Sequence, residues 1–441
     1  MMGKEVNKMQ WSRFNLMFTS EGKTLLLYNF ASNSFLQLEE DALEIINNIK
    51  KHPHIDLSSH PNLYLQLRLG GFLVEDKADE DFVRILKMNR LASNYASNQL
   101  SLTIAISKVC NFDCDYCYEK NRTPPVMSEE TADALVGFIK KHKHLEKINV
   151  TWYGGEPLLE FDKLSRLSRK MQALKLMYDA QLITNGYLLT PEVISYLEEL
   201  NISHLQITID GIKETHNKRR YLKGGGGTYE RIMDNISHLM DSDWNGKLHL
   251  RVNVDKRNSH EFAKVYECIK KLYPEEFDKK ITVYPGFVND GAKIKNSDYF
   301  DSCDKGQFLV NLSSSYKTNP LKTFPHRALD GCTMTRKNAY VVGPKGELYK
   351  CWRNLGEENE VIGVVNSFTN WNMSLVAEGM IGGSYLEDNA CERCLLFSIC
   401  DGGCPKMRIL NKRDNGNRDM CSYFKKHIEQ LLEVHYRQKN C

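Results

Sequence analysis

Three cysteines in the run Cys110-Asn111-Phe112-Asp113-Cys114-Asp115-Tyr116-Cys117 constrain this chain more than any other feature. Thiolates at C-x3-C-x2-C spacing can hold three corners of a four-iron, four-sulfur cube, a cluster that ordinarily takes four cysteine ligands. No fourth cysteine lies nearby. An iron left without a protein ligand is free to bind a small molecule. A zinc knuckle or a set of core thiols is the plain alternative. Zinc, however, usually takes a paired C-x2-C with a second pair or with histidines, and no such partner is close. A second group runs Cys332, Cys351, then Cys391-x2-Cys394-x5-Cys400-x3-Cys404 and Cys421, so ten of the thirteen cysteines fall into two sets.

The rest of the composition is that of an ordinary globular protein, 41% hydrophobic and 26% charged, and 441 residues imply two or three domains. A formal charge of +3 gives no reason to expect a nucleic-acid partner. Short basic clusters such as Lys140-Lys141-His142-Lys143 read as the positively charged end of a helix. No run of eighteen apolar residues suggests a membrane span, and the polar start has no apolar stretch of a signal peptide. Cysteines in a chain read as cytoplasmic point to metal ligation rather than disulfides.

Three blocks follow one another. Residues 11–76 open with apolar runs at Phe14–Phe18, Thr24–Tyr28 and Ser34–Leu38, which read as a small antiparallel sheet. Helical patterns come next, and Gly70-Gly71-Phe72-Leu73-Val74 closes the block as an apolar hairpin; together these suggest a winged-helix unit. A helical linker is expected over 77–100. Residues 101–300 alternate strand and helix, with strands expected at Leu102–Ser107, Ile148–Trp152, Gln181–Thr184, Leu205–Ile209, Leu248–Val254 and Ile281–Tyr284. Repeated βα units imply a parallel sheet, and six of them make about three quarters of an eight-unit barrel. The expected class is α/β, a partial (β/α)6 TIM-like barrel, although sequence alone does not separate it from a doubly wound open sheet. Residues 301–424 are rich in cysteine and glycine and read as organised by metal rather than by a large apolar core; residues 425–441 read as a helix and tail.

The motifs sit on loops after the strands, where parallel barrels carry their chemistry. The cysteine triplet follows the first strand and Gly154-Gly155-Glu156-Pro157 the second. Its glycines let backbone approach a ligand, and Glu156 offers a carboxylate to a cationic amine. Thr184-Asn185-Gly186 ends the third strand and Gln206-Ile207-Thr208-Ile209-Asp210-Gly211 the fourth, with Arg219 and Arg220 beyond; Arg220 is favoured slightly as a fork for a carboxylate. Arg251 and Asn253 alternate on the fifth strand so that they could face the barrel interior. Cys268 reads as a core thiol, Cys441 as a loose one. Asp290, Tyr284 and Asp210 are possible general bases, with nothing in their spacing to select one.

The triplet, with Tyr116 at the aromatic position of C-x3-C-x-aromatic-C, resembles the signature of the radical S-adenosylmethionine (SAM) superfamily. That resemblance implies a barrel core and a cluster held by Cys110, Cys114 and Cys117. It also implies SAM contacts at Tyr116, Gly154, Gly155, Glu156, Thr184, Asn185, Thr208 and Arg220. The later cysteines are similar in order to the SPASM extension of radical SAM peptide-modifying enzymes. Carried over by position, Cys391, Cys394, Cys400 and Cys421 would ligate one auxiliary cluster, and Cys332, Cys351 and Cys404 another, three 4Fe–4S clusters in all. Cys303 is the candidate eighth ligand; otherwise an open iron would be left for a substrate thiolate. The resemblance extends to maturases of ribosomally made peptides. It implies a leader-recognition role for residues 11–76, a precursor peptide as substrate, and an electron donor such as flavodoxin or ferredoxin. The expected product is a thioether or carbon–carbon crosslink. Sulfatase maturation to formylglycine is the alternative enzyme, and an iron–sulfur electron carrier the non-enzymatic one.

Overall fold

The computed structural model describes residues 9–51, 59–119, 125–288, 298–315, 331–367 and 371–439; Asp290 and Cys441 lie outside them. The chain forms two compact units that do not follow its linear blocks. One gathers residues 95–301 and 332–382, the other 1–94, 302–331 and 383–441.

The first unit is built on a nine-stranded sheet. Six strands, Gln99–Ala105, Lys147–Tyr153, Met177–Thr184, Ile202–Thr208, Lys247–Val254 and Ile281–Phe287, lie side by side in chain order, each parallel to the next. A doubly wound sheet reverses its strand order at a switch point. Here the order never reverses, which is the winding of a barrel wall. Alternate residues explain why these segments become strands. Leu248, Leu250 and Val252 are buried on one face, whereas His249 and Arg251 on the other remain half-buried. Such alternation marks a sheet whose second face keeps some access to water.

The connecting helices carry their own start and stop signals. Ser128 caps Glu129–Lys141, its hydroxyl accepting from the Thr131 amide at 3.2 Å. Acidic residues in that helix's first turn and lysines in its last complement the dipole. A short helix spans Pro191–Ser195. Beyond it the amides of Tyr196 and Leu197 reach back only three residues, so the backbone tightens into turns while Leu197 and Leu200 stay buried.

A strand without a counterpart in the sequence reading, Ala339–Val342, adds in parallel beside Gln99–Ala105, and Glu347–Tyr349 and Gly363–Val364 follow antiparallel. Residues 332–382 therefore extend the barrel sheet.

The second unit holds a three-stranded antiparallel sheet, Asn15–Thr19, Leu25–Asn29 and Ser34–Leu38, with helices Glu40–Lys51 and Pro61–Leu69. Leu73–Glu75 pairs with Met9–Trp11 and not with a neighbouring strand, so the apolar hairpin expected at the end of the block is absent among the described residues. Helix Ala78–Tyr95 follows. The block read as organised by metal also contributes apolar residues to a core: Leu386, Leu396 and Phe397, with Leu431 and Leu432 of the tail, join Phe14, Leu26, Tyr28 and Phe30 in one buried cluster. The apolar residues of the C-terminal segment are sparse in sequence, yet they converge on a single patch. No helix among the described residues is long and apolar enough to cross a membrane.

Candidate active site

The loop after the first strand is fixed before any ligand is considered. Its backbone is stitched to residues 219–223: the Asp113 amide donates to the Tyr221 carbonyl at 2.9 Å, the Asp115 amide to Arg219 at 3.3 Å, and Lys223 to Asn111 at 2.8 Å. From the other side the Gly155 amide donates to the Ser107 carbonyl at 3.2 Å and Glu156 to Val109 at 2.9 Å. Both glycines are required for that approach. A Cβ on Gly154, at φ +121°, would lie 2.4 Å from the Ser107 carbonyl oxygen, and one on Gly155 2.1 Å from that of Val109. Close backbone approach at this corner is thus to the cysteine loop itself.

These contacts create a cleft lined by Cys110, Cys114 and Cys117 together with Tyr116, Gly154, Gly155, Thr184, Asn185, Thr208 and Arg220. All but one of the residues expected to surround the triplet are brought together there. The exception is Glu156. It is wholly buried; one carboxylate oxygen accepts from the Leu158 amide (3.0 Å) and the Thr184 hydroxyl (2.7 Å), the other from the Asn185 amide (2.7 Å). The carboxylate expected to meet a cationic amine instead fixes the next strand end, because three donors converge on it from inside. Burial raises its pKa, against the pull of those donors.

Asn185 then donates from Nδ2 to Asn111 at 2.7 Å and lies 3.9 Å from the Cys110 sulfur, which also accepts from the Phe112 amide at 3.4 Å. Burial pushes the Cys114 thiol up to about 12. A thiol held so is deprotonated by a Lewis-acidic metal, and ligation releases its proton.

The two arginines divide their labour. Arg219 is bound to Asp210 at 3.2 Å and to Asp255 at 2.8 Å, and Asp255 also takes Arg257 at 2.7 Å. Arg220, also buried, donates to the Tyr116 hydroxyl at 2.7 Å and lines the cleft, with its Nε left without a hydrogen-bond partner. A buried guanidinium with an unsatisfied donor beside a cleft fits an anionic ligand. Tyr116 also accepts from Asn253 at 3.0 Å, whose carbonyl oxygen takes Arg251 Nε at 2.8 Å. Arg251 and Asn253 thus join one chain of hydrogen bonds ending at the triplet's aromatic residue.

Two expected bases are otherwise engaged. Asp210 is fully buried against Arg219. The Tyr284 hydroxyl donates to Gln206 at 2.6 Å, and burial raises its pKa, so it keeps its proton at neutral pH.

The later cysteines divide between the units. Cys332 and Cys351 belong to the sheet-bearing unit, and Cys303, Cys391, Cys394, Cys400, Cys404 and Cys421 to the other. Cys303 is half-buried with its sulfur 3.5 Å from His427 Nε2. Buried Arg408 donates to the Cys391 sulfur at 3.0 Å, to Asp388 at 2.8 Å and to the Gly402 carbonyl at 2.9 Å. Gly402 and Gly403 adopt φ of +79° and +72°, and a Cβ on Gly403 would lie 1.9 Å from the Met420 carbonyl, one residue before Cys421. The segment bearing Cys400 and Cys404 is thereby held against that bearing Cys421. Among the described residues no three His, Cys, Asp or Glu side chains form a site for a single metal ion. A four-iron cube asks for something else, thiolates spread to separate corners. Cys268, expected in the core, is exposed on Phe262–Leu272, whose buried face is Phe262, Val265, Tyr266 and Ile269.

Asp255, Arg408, Tyr118 and Tyr153 went unrecognised in the sequence. Tyr118, directly after Cys117, and Tyr153, directly before the glycine pair, had an available signal.

Residues 104–269 match the model of the Radical SAM superfamily. The chain carries a radical SAM domain. Such a domain works with SAM and a 4Fe–4S cluster, and the protein is an enzyme of radical chemistry. Among its relatives is an AdoMet-dependent heme synthase of Methanosarcina barkeri, 29% identical over 192 residues; the match covers 43% of this chain and only 52% of that protein. A serine-type anaerobic sulfatase-maturating enzyme of Bacteroides thetaiotaomicron is 22% identical, with 74% of this chain and 87% of the relative covered. The radical SAM cyclopropyl synthase TigE of Paramaledivibacter caminithermalis is 20% identical, with 97% and 96% covered. The fold around the radical SAM domain is shared with native anSMEcpe, solved with bound AdoMet and a Cp18Cys peptide: TM-score 0.59, 22% identity, 78% of this chain and 98% of that one. It is shared also with Streptococcus suis SuiB, solved with the precursor peptide SuiA: TM-score 0.51, 14% identity, 95% and 100%.

Proposed function

We propose that the protein is a peptide maturase that installs a thioether or carbon–carbon crosslink in a ribosomally made precursor. The observation that carries this reading is co-extension. TigE and SuiB match 97% and 95% of the chain, whereas the sulfatase-maturating relative and anSMEcpe leave roughly a quarter unmatched. SuiB was solved with a precursor peptide, which supports a peptide substrate here.

In this reading Cys110, Cys114 and Cys117 hold the SAM cluster, and Arg220 takes the SAM carboxylate. Gly154, Gly155, Thr184, Asn185 and Thr208 line the nucleotide's cleft. When bound, the cluster and SAM together supply a radical able to take hydrogen from an unactivated carbon. The protein's part is to hold the cleft rigid: Glu156 fixes Thr184 and Asn185, and Tyr116, tied to Arg220 and Asn253, keeps the guanidinium aimed. Cys391, Cys394, Cys400 and Cys421 would hold one auxiliary cluster; Cys332, Cys351 and Cys404, with or without Cys303, the other. Residues 11–76 would capture an extended leader by strand pairing, as a winged-helix unit does. A flavodoxin or ferredoxin would supply electrons.

Sulfatase maturation is the second reading, favoured by the higher TM-score of anSMEcpe, 0.59 against 0.51. Coexpression with a short peptide encoded beside the gene, followed by mass spectrometry, separates the two. Loss of a hydrogen pair per link supports crosslinking. The mass change of formylglycine in a sulfatase peptide would replace it with the second reading.

A further inference from the structure

We propose that Tyr118, Tyr153 and Trp352 form an electron-coupling bridge between the cysteine-triplet cleft and the cluster that Cys351 would help to hold. The proposal rests on the cluster assignment above. Each of the three aromatic residues is the chain neighbour of a residue given to a cofactor: Tyr118 follows Cys117, Tyr153 precedes Gly154, and Trp352 follows Cys351. In space they make one series. The Tyr118 and Tyr153 hydroxyls are hydrogen-bonded to each other. The Tyr153 ring meets Trp352 edge-on, centroids 5.4 Å apart at 88°. Arg353, the next residue, places its guanidinium 5.9 Å over the Tyr118 ring. Both tyrosines line the cleft, and Tyr153 is only 9% exposed.

Electron transfer falls off steeply across empty space and more slowly through bonded, packed atoms. Phenol and indole are too hard to oxidise to act as stopping points at the potentials of such clusters. They serve here as a filled medium between two metal centres. In turnover a substrate radical would form its new bond, release a proton and give up one electron. The oxidised auxiliary cluster would accept that electron and become its one-electron-reduced form.

The full-length enzyme, reconstituted with iron and sulfide, reduced and then freed of reductant, tests the bridge without any peptide. SAM is added without thiol, and the methionine released when its carbon–sulfur bond takes one electron and breaks is counted by rapid quench. Each SAM cleaved consumes one electron. The electron already at the triplet cluster gives a fast phase, and electrons arriving from the auxiliary clusters a later one. Trp352→Leu should leave the fast phase unchanged, slow the later phase by an order of magnitude and leave the reduced auxiliary EPR signal persisting; Trp352→Phe should largely restore the rate. If Trp352→Leu loses iron, Trp352→Met keeps the bulk without the ring and carries the same expectation. A later phase equally fast without the ring overturns the bridge, as does wild type with full iron and no later phase. Iron at about four atoms per chain, one cube's worth, overturns the auxiliary assignment and the bridge with it.

Discussion

Arg219 and Arg220 are adjacent in sequence and opposite in employment. Each keeps one buried nitrogen without a hydrogen-bond partner, Nη2 of Arg219 and Nε of Arg220, but Arg219 is paired with Asp210 and Asp255, whereas Arg220 donates to Tyr116 and lines the cleft. Sequence could offer both and prefer one only slightly, because nothing local shows which carboxylates will arrive from other strands. Glu156 makes the same point in reverse. Its motif placed it correctly, but its direction depends on donors 28 and 29 residues away. Arg220→Gln should weaken SAM binding by about ten- to a hundredfold, the equivalent of the ~1.5–3 kcal/mol of a hydrogen bond to a charged group. Equilibrium dialysis with labelled SAM measures it, and an unchanged affinity would remove Arg220 from the site.

At the scale of elements, the six barrel strands were legible because each is a short apolar run set apart from the next by a helical pattern. Ala339–Val342 was not. Its four residues are all buried, and a short apolar run carries no sign of the partner it will add to. Loop corners are where elements meet most tightly. Gly155→Ala would drive a methyl into the Val109 carbonyl, displacing the cysteine loop. The expected outcome is loss of about one cube's iron, four atoms, while far-UV circular dichroism stays near wild type; full iron content would show that the corner yields without cost.

The turn before Cys391 offers a pH test. Partial burial alone would raise the Asp388 carboxyl, yet Arg408 and the Cys391 and Ala390 amides hold it below its ordinary 3.8. A carboxyl so depressed stabilises the fold fully above 3.8 and loses that contribution as pH falls through its lower folded value. Wild type should therefore melt above Asp388→Asn at neutral pH, and the gap should close in the acid limb of a pH series. A gap constant down to the lowest pH would show that the charge is immaterial.

Across the whole molecule, cysteine spacing pointed to the radical SAM domain, but not to how the chain would be parcelled. The C-terminal residues share a buried cluster with the N-terminal sheet, a partnership between segments more than three hundred residues apart that no local pattern encodes. If three cubes are present, iron should approach twelve atoms per chain. Removing them with a chelator should lower the melting temperature of the unit bearing Cys391 to Cys421, since ligand binding to the folded state is folding free energy. Differential scanning calorimetry before and after chelation reads this directly; coincident transitions would mean that metal contributes nothing to that unit's stability.

Ala339–Val342 lies alongside Gln99–Ala105, the strand that begins the barrel. Anyone trimming the gene to its catalytic half by stopping at residue 300 would strip that neighbour away. The first strand would then present a raw row of amides and carbonyls flanked by Leu100, Leu102 and Ile104. Such a fragment is expected to pair with copies of itself and collect in inclusion bodies, however faithfully it keeps every cysteine of the triplet.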